Sequence, residues 1–120
     1  MRLRVLFVDD YPDTADLLCE NVANCDWIEA ESVASAQEAL AKAERFLPHV
    51  AVIDIGMPCM NGWELGERLK SVVPGIRLIA LSGYTQPDHH ARSLAYGFID
   101  HLDKPPDLPR LISILKSLCP

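Results

Sequence analysis

The stretch His49-Val50-Ala51-Val52-Ile53-Asp54 decides the fold. Four apolar residues follow one another without interruption, three of them β-branched, and the run ends in a carboxylate. A surface helix would space its apolar residues three and four apart, and a half-buried strand would alternate them with polar ones. An unbroken run of this length instead suits a parallel strand covered on both faces. Such a strand needs parallel neighbours and crossover helices, so the chain on either side of it should alternate short apolar runs with longer helical segments.

It does. Upstream, Leu3 to Val8 is a second strand, apolar on consecutive positions from Val5, and ends in Asp9-Asp10. Pro12 then fits the first turn of a helix with Ala15, Leu18 and Val22 as its apolar stripe. Trp27 to Ala30 is a weaker strand signal. Ser35 and Glu38 have the spacing of a capping box, and the helix behind them offers Ala36, Ala39, Leu40, Ala43 and Leu47 to a core before Pro48 stops it. Downstream of Asp54, Asn61-Gly62-Trp63-Glu64 opens a third helix with Leu65, Leu69 and Val72 inward, closed by Pro74-Gly75. Ile76 to Leu81 is the fourth strand, followed by Ser82-Gly83. Pro87 starts a helix with Ala91, Leu94 and Ala95 inward and Gly97 as its C-terminal cap. Phe98 to Leu102 is the fifth strand. Pro106 begins the last helix, whose apolar residues are Leu108, Leu111, Ile112, Leu115 and Leu118, with Pro109 acceptable because it lies in the first turn. Five β-α units in one domain, residues 1–120, give an α/β fold. It is a doubly wound, flavodoxin-like (βα)5 unit with a five-stranded parallel sheet in the order 2-1-3-4-5.

Composition narrows the function. Seventeen acidic residues against eleven basic ones give a formal net charge of -6, without the basic patch that nucleic acid requires. No basic run suits an anionic membrane surface, and no apolar stretch approaches spanning length. The 49% hydrophobic fraction is enough for a core without metal or disulfide staples. Cys19, Cys25, Cys59 and Cys119 form no C-x-x-C pair and read as reduced thiols. With no secretory leader pattern, the expected location is the cytoplasm.

In sheets of this type function gathers beyond the carboxyl ends of the strands. Asp9 and Asp10 end the first strand, Asp54 the third, Ser82 the fourth, and the fifth leads to Lys104-Pro105. In the order 2-1-3-4-5 the first and third strands are neighbours, so three carboxylates converge on one crevice. Their repulsion is relieved by a hard divalent cation, for which carboxylate oxygens are natural ligands. A lysine and a hydroxyl beside them complete the parts for phosphoryl transfer to a carboxylate. A lone Asp after a strand is ordinarily a turn or cap residue; an ordered set at four strand ends is not explained that way.

The ordered set resembles the receiver domains of two-component response regulators. Val8-Asp9-Asp10-Tyr11-Pro12 is similar to their acidic pair, and Asp54 through Gly62 to the segment opening at the phosphorylated aspartate. Leu81-Ser82-Gly83 is similar to the hydroxyl-bearing end of strand four, and Asp103-Lys104-Pro105 to the lysine–proline dipeptide. The surroundings of Gly56-Met57-Pro58 and Ser82-Gly83-Tyr84 look like receivers of hybrid sensor kinases.

The resemblance implies a role for each residue. Asp54 accepts the phosphoryl group from a phosphohistidine on a sensor histidine kinase or histidine phosphotransfer protein. Asp10 binds magnesium, or manganese in its place, directly. Asp9 assists, with Asp54 and the main-chain carbonyl of Gly56 as further ligands. Ser82 and Lys104 hold phosphoryl oxygens, and the bond before Pro105 is cis. Phosphorylation switches the surface of helix four, strand five and helix five toward a downstream protein target, and dephosphorylation is self-catalysed. The expected protein is a signalling domain rather than an enzyme for external substrates, a monomer or weak dimer. At one position it departs from the family. His101 stands three residues before the lysine, where Tyr or Phe is usual, and an imidazole there can pack or titrate. Gly56 offers no group to orient water and Tyr84 can shield the site, so slow dephosphorylation is expected. His89 and His90, neighbours on one helix, read as solvated, and Trp63 as a half-buried packing residue. The alternatives are an aspartate-dependent phosphatase, which lacks support because Asp54 is not followed by a second Asp two residues on, and a receiver-like interaction module acting without phosphorylation.

Overall fold

In the computed structural model, residues 2–57, 60–83 and 87–119 are described, those at 87 and 88 by their backbone alone. The strands are β1 (Leu3–Val8), β2 (Ile28–Val33), β3 (Val50–Asp54), β4 (Arg77–Ser82) and β5 (Asp100–Asp103). The helices are α1 (Pro12–Val22), α2 (Ala36–Phe46), α3 (Gly62–Val72), α4 (Pro87–Ala95) and α5 (Leu108–Ser117). All pairings are parallel and the strand order is β2-β1-β3-β4-β5.

The unbroken apolar runs are explained by burial on both sides. Along β1, Leu3, Val5 and Phe7 face the helices α1 and α5, and the intervening Leu6 and Val8 face α2 and α3. In β3, Val50 and Val52 go to the first layer and Ala51 and Ile53 to the second. The period-two alternation of a strand therefore distributes one hydrophobic run into two cores. Val22, Leu65, Leu69, Leu111 and Leu115 are fully buried helix residues that close those cores, each worth about 1.5–3 kcal/mol in apolar transfer.

Local chemistry sets the helix boundaries. Ser35 caps α2 by accepting from the Glu38 N–H at 3.1 Å, and the Glu38 carboxylate reaches back to the N–H of Ala34 at 2.8 Å. Asn61 caps α3 through the Glu64 N–H at 2.9 Å. Cys19, Cys25 and Cys119 are free thiols, and burial pushes that of Cys19 up to about 11, which keeps it protonated and unreactive. Cys59 and Tyr84 lie outside the described residues.

Several boundaries and faces differ from the sequence reading. β2 begins at Ile28 and runs to Val33, because an edge strand tolerates the polar Glu29 and Glu31 that broke the apolar signal. β5 spans Asp100–Asp103, while Phe98 packs into the α2–α3 core, its ring beside Gly66. α5 starts at Leu108 rather than Pro106, capped by Asp107. Leu47, expected on the core face of α2, is instead the left-handed C-cap (φ 50) and is exposed. The largest difference is in α4. Ala91, Leu94 and Ala95 are exposed, and the residue that points inward is Ser93, at 0% exposure.

Candidate functional site

The carboxyl ends of β1, β3, β4 and β5 bring the polar residues together. Asp9 (2% exposed) and Asp54 (6%) are buried where the two central strands end, and Asp10 beside them is exposed. Asp9, Asp10 and Asp54 each present a carboxylate oxygen within 4.8 Å of the others. Backbone amides orient two of them: Asp9 Oδ1 accepts from the Tyr11 N–H and Asp54 Oδ1 from the Gly56 N–H, both at 2.9 Å. Lys104 crosses from the loop after β5 to place Nζ 2.6 Å from Asp9 Oδ2 and 3.2 Å from Asp54 Oδ2. The Lys104–Pro105 bond is cis. Burial alone pulls the lysine down, but its hydrogen bond to Asp9 and the charges of Asp54 and Asp9 outweigh that and hold it above its ordinary value. One ammonium against three carboxylates still leaves an excess of negative charge. Hard oxygen donors at this spacing fit a divalent cation of the magnesium type.

Gly62 permits the close approach that brings α3 beneath this site. A Cβ there would fall 2.6 Å from the Ile55 backbone and 2.8 Å from the Asp54 carbonyl oxygen, so only glycine lets α3 begin against the end of β3. The result is a cavity of about 140 Å³ over Asp54, bordered by Gly56, Ser82, Trp63 and His89.

Behind Ser82 runs a buried polar chain that the sequence did not disclose. Ser82 Oγ lies 2.8 Å from His101 Nε2, and His101 Nδ1 lies 2.8 Å from Ser93 Oγ. Ser93 Oγ also accepts from Trp63 Nε1 at 2.8 Å. Trp63 is buried, not half-buried, and joins α3 to α4: Arg92 lies over its ring at 4.2 Å and Tyr96 stacks on it. His101 is 4% exposed, and burial, reinforced by the neighbouring His90, pushes its imidazole below the usual range. His89 and His90 are half-buried rather than solvated. His89 meets the Trp63 ring edge-on, and His90 stacks on His101 with 4.1 Å between centroids. His90, His101 and Asp103 also bring possible ligand atoms within 4.8 Å of one another. Both ring nitrogens of His101 are however engaged by serines, and the near-parallel rings do not converge on a common point. Ser93 carried no signal of its own in the sequence. It is an ordinary helix residue until the packing of α4 is known.

This constellation on a 2-1-3-4-5 sheet defines a receiver domain. Residues 5–116 match the response regulator receiver domain family, and the chain belongs to it. It is similar to an uncharacterized 14.6 kDa protein from the sodA1 3′ region of Leptolyngbya boryana, at 38% identity over 98% of this chain and 91% of that protein. Sporulation initiation phosphotransferase F of Bacillus subtilis is 28% identical over 100% of this chain and 96% of its own length. Among solved structures, the chemotaxis protein CheY4 of Vibrio cholerae matches with a TM-score of 0.88 at 27% identity, covering 98% of this chain and 99% of that one. Three transcriptional regulatory proteins among the relatives are longer, and the chain spans 32%, 55% and 48% of their lengths.

Proposed function

We propose that this receiver takes a phosphoryl group onto Asp54 from a phosphohistidine of a sensor kinase or phosphotransfer protein, as one step of a phosphorelay. The observation that carries this reading is the position of Asp54: buried, facing a cavity of about 140 Å³, and bonded by Lys104, which also holds Asp9. A carboxylate oxygen of Asp54 attacks phosphorus, an O–P bond forms as the N–P bond breaks, and the departing imidazole takes up a proton. Lys104 and the Ser82 hydroxyl hold the equatorial oxygens as charge spreads over them. Asp9, Asp10, Asp54 and the Gly56 carbonyl would hold magnesium, which when bound neutralises phosphoryl and carboxylate charge. The acyl phosphate is then lost by self-catalysed hydrolysis.

The added charge at the ends of β3 and β4 biases the surface of α4, β5 and α5 toward a downstream protein target. The test is intact mass after treatment with acetyl phosphate and magnesium. The wild type gains one phosphoryl group and Asp54→Asn gains none; equal modification of the two would overturn the assignment. Chelation of the divalent cation should abolish the gain as well.

A further inference from the structure

Ser93 lies on the face of α4 that the apolar pattern assigned to solvent, yet it is completely buried. Its hydroxyl oxygen has two polar partners among the described residues, Trp63 Nε1 and His101 Nδ1. The indole N–H can only donate. The Ser93 proton therefore has one acceptor within reach, His101 Nδ1, and at zero exposure it has no water to turn to. A neutral imidazole that accepts at Nδ1 carries its hydrogen on Nε2. That nitrogen is 2.8 Å from Ser82 Oγ, so the imidazole donates to Ser82 and the serine's own proton is turned away from the ring. The reversed polarity, with Ser82 donating to Nε2 and Nδ1–H donating to Ser93, would strand the Ser93 proton in the core.

We propose that Trp63, Ser93 and His101 are positioning residues that fix His101 as its Nε2–H tautomer and aim the Ser82 hydroxyl proton at the phosphoryl group on Asp54. The proposal rests on Asp54 being the phosphoacceptor for its functional half, and on hydrogen-bond geometry alone for the tautomer. Burial lowers the pKa of the imidazole and so favours the neutral form that the relay requires. The chain runs from α3 through α4 and β5 to β4, so a Ser82 that moves to meet a phosphoryl oxygen draws on α4 through two hydrogen bonds. A polar connection thus occupies the place where Tyr or Phe is usual in the family.

The tautomer is read directly by two-bond proton–nitrogen correlation spectra of ¹⁵N-labelled protein, at a pH about one unit above the ordinary histidine value. For His101 the wild type should show a protonated Nε2 and an unprotonated Nδ1, with no phosphodonor present. Ser93→Ala, which replaces a helix residue by the best helix former, should give mixed tautomers. It should also take up phosphoryl from acetyl phosphate about threefold to tenfold more slowly while still modified at Asp54, the effect of misaligning one hydrogen bond. A protonated Nδ1 in the wild type, or an unchanged His101 spectrum in Ser93→Ala, would overturn the relay. An altered spectrum with an unchanged rate would overturn its aim at Ser82. If the wild type shows the expected tautomer but never gains a phosphoryl group, the phosphoacceptor reading fails and the relay stands.

Discussion

Gly56 and Gly62 lie on either side of the same loop and answer to different constraints. At Gly62 a Cβ would collide with the Ile55 and Asp54 backbone, so the residue is fixed by packing. At Gly56 a Cβ would meet, among the described residues, only Asp54 Oδ1, at 3.5 Å, an ordinary contact. Its absence therefore concerns chemistry, since glycine itself offers no polar side chain to orient water. Gly56→Asn should fold normally and shorten the lifetime of the phosphorylated form by roughly a factor of ten, about 1.4 kcal/mol of barrier. The check is the decay of the mass adduct after removal of phosphodonor with magnesium retained; an unchanged decay would show that water access is set elsewhere, for example by His89 at the cavity edge. The residues of the proposed chemistry were legible in the sequence from their places: Asp9, Asp10, Asp54 and Ser82 each follow an apolar run, and Lys104 follows the end of the fifth strand. Ser93 and the indole N–H of Trp63 were not, because their roles depend on contacts between elements and not on any position along one.

At the scale of elements, α4 breaks the rule that read α1 and α3 correctly. In α1 the stripe Ala15, Leu18, Val22 is the buried face, and in α3 Leu65 and Leu69 are. In α4 the apolar residues Ala91, Leu94 and Ala95 face outward, and the inward position holds Ser93. Apolar periodicity reports a buried face only where that face meets an apolar partner. Here the partner is the Trp63 N–H and the His101 ring, so the helix turns its hydroxyl inward and leaves its apolar residues, Leu94 above all, exposed. Leu94→Lys should accordingly change the unfolding free energy by no more than about 0.5 kcal/mol, as at other exposed positions. Leu111→Ala, at a fully buried site of α5, should cost about 2–5 kcal/mol. Urea unfolding of the two variants beside the wild type measures both, and a large loss in Leu94→Lys would mean that α4 packs through its apolar stripe after all.

For the molecule as a whole, two histidines and one lysine, shifted by burial and by their neighbours, set how stability responds to pH. His101 is held below its ordinary value of 6.5, by burial first and then by His90 and His89, with Asp103 and Asp100 pulling the other way. His49 is lowered too, by burial and by Arg4, and its Nδ1 accepts the Arg4 backbone N–H at 2.9 Å, which a protonated ring could not do. Both groups bind a proton less readily in the folded chain than in the unfolded one. Their contribution is fully present above 6.5 and is lost as the pH falls through the lower folded values. Lys104 acts at the opposite end. Its ammonium is held above 10.5 by Asp9 and Asp54 against the opposing effect of burial, so its contribution is complete below 10.5 and lost as the pH rises past the folded value. Urea midpoints should therefore be flat between the two limits and fall on either side. On the acid limb, from about pH 7 to pH 5.5, before most carboxylates titrate, the slope should be visibly shallower in a His49→Asn, His101→Gln double variant. The slope is the quantity to compare, because the substitutions also remove hydrogen bonds and lower the midpoint at every pH. An acid limb equally steep in the double variant and the wild type would mean that these two histidines are not the groups that take up protons on unfolding.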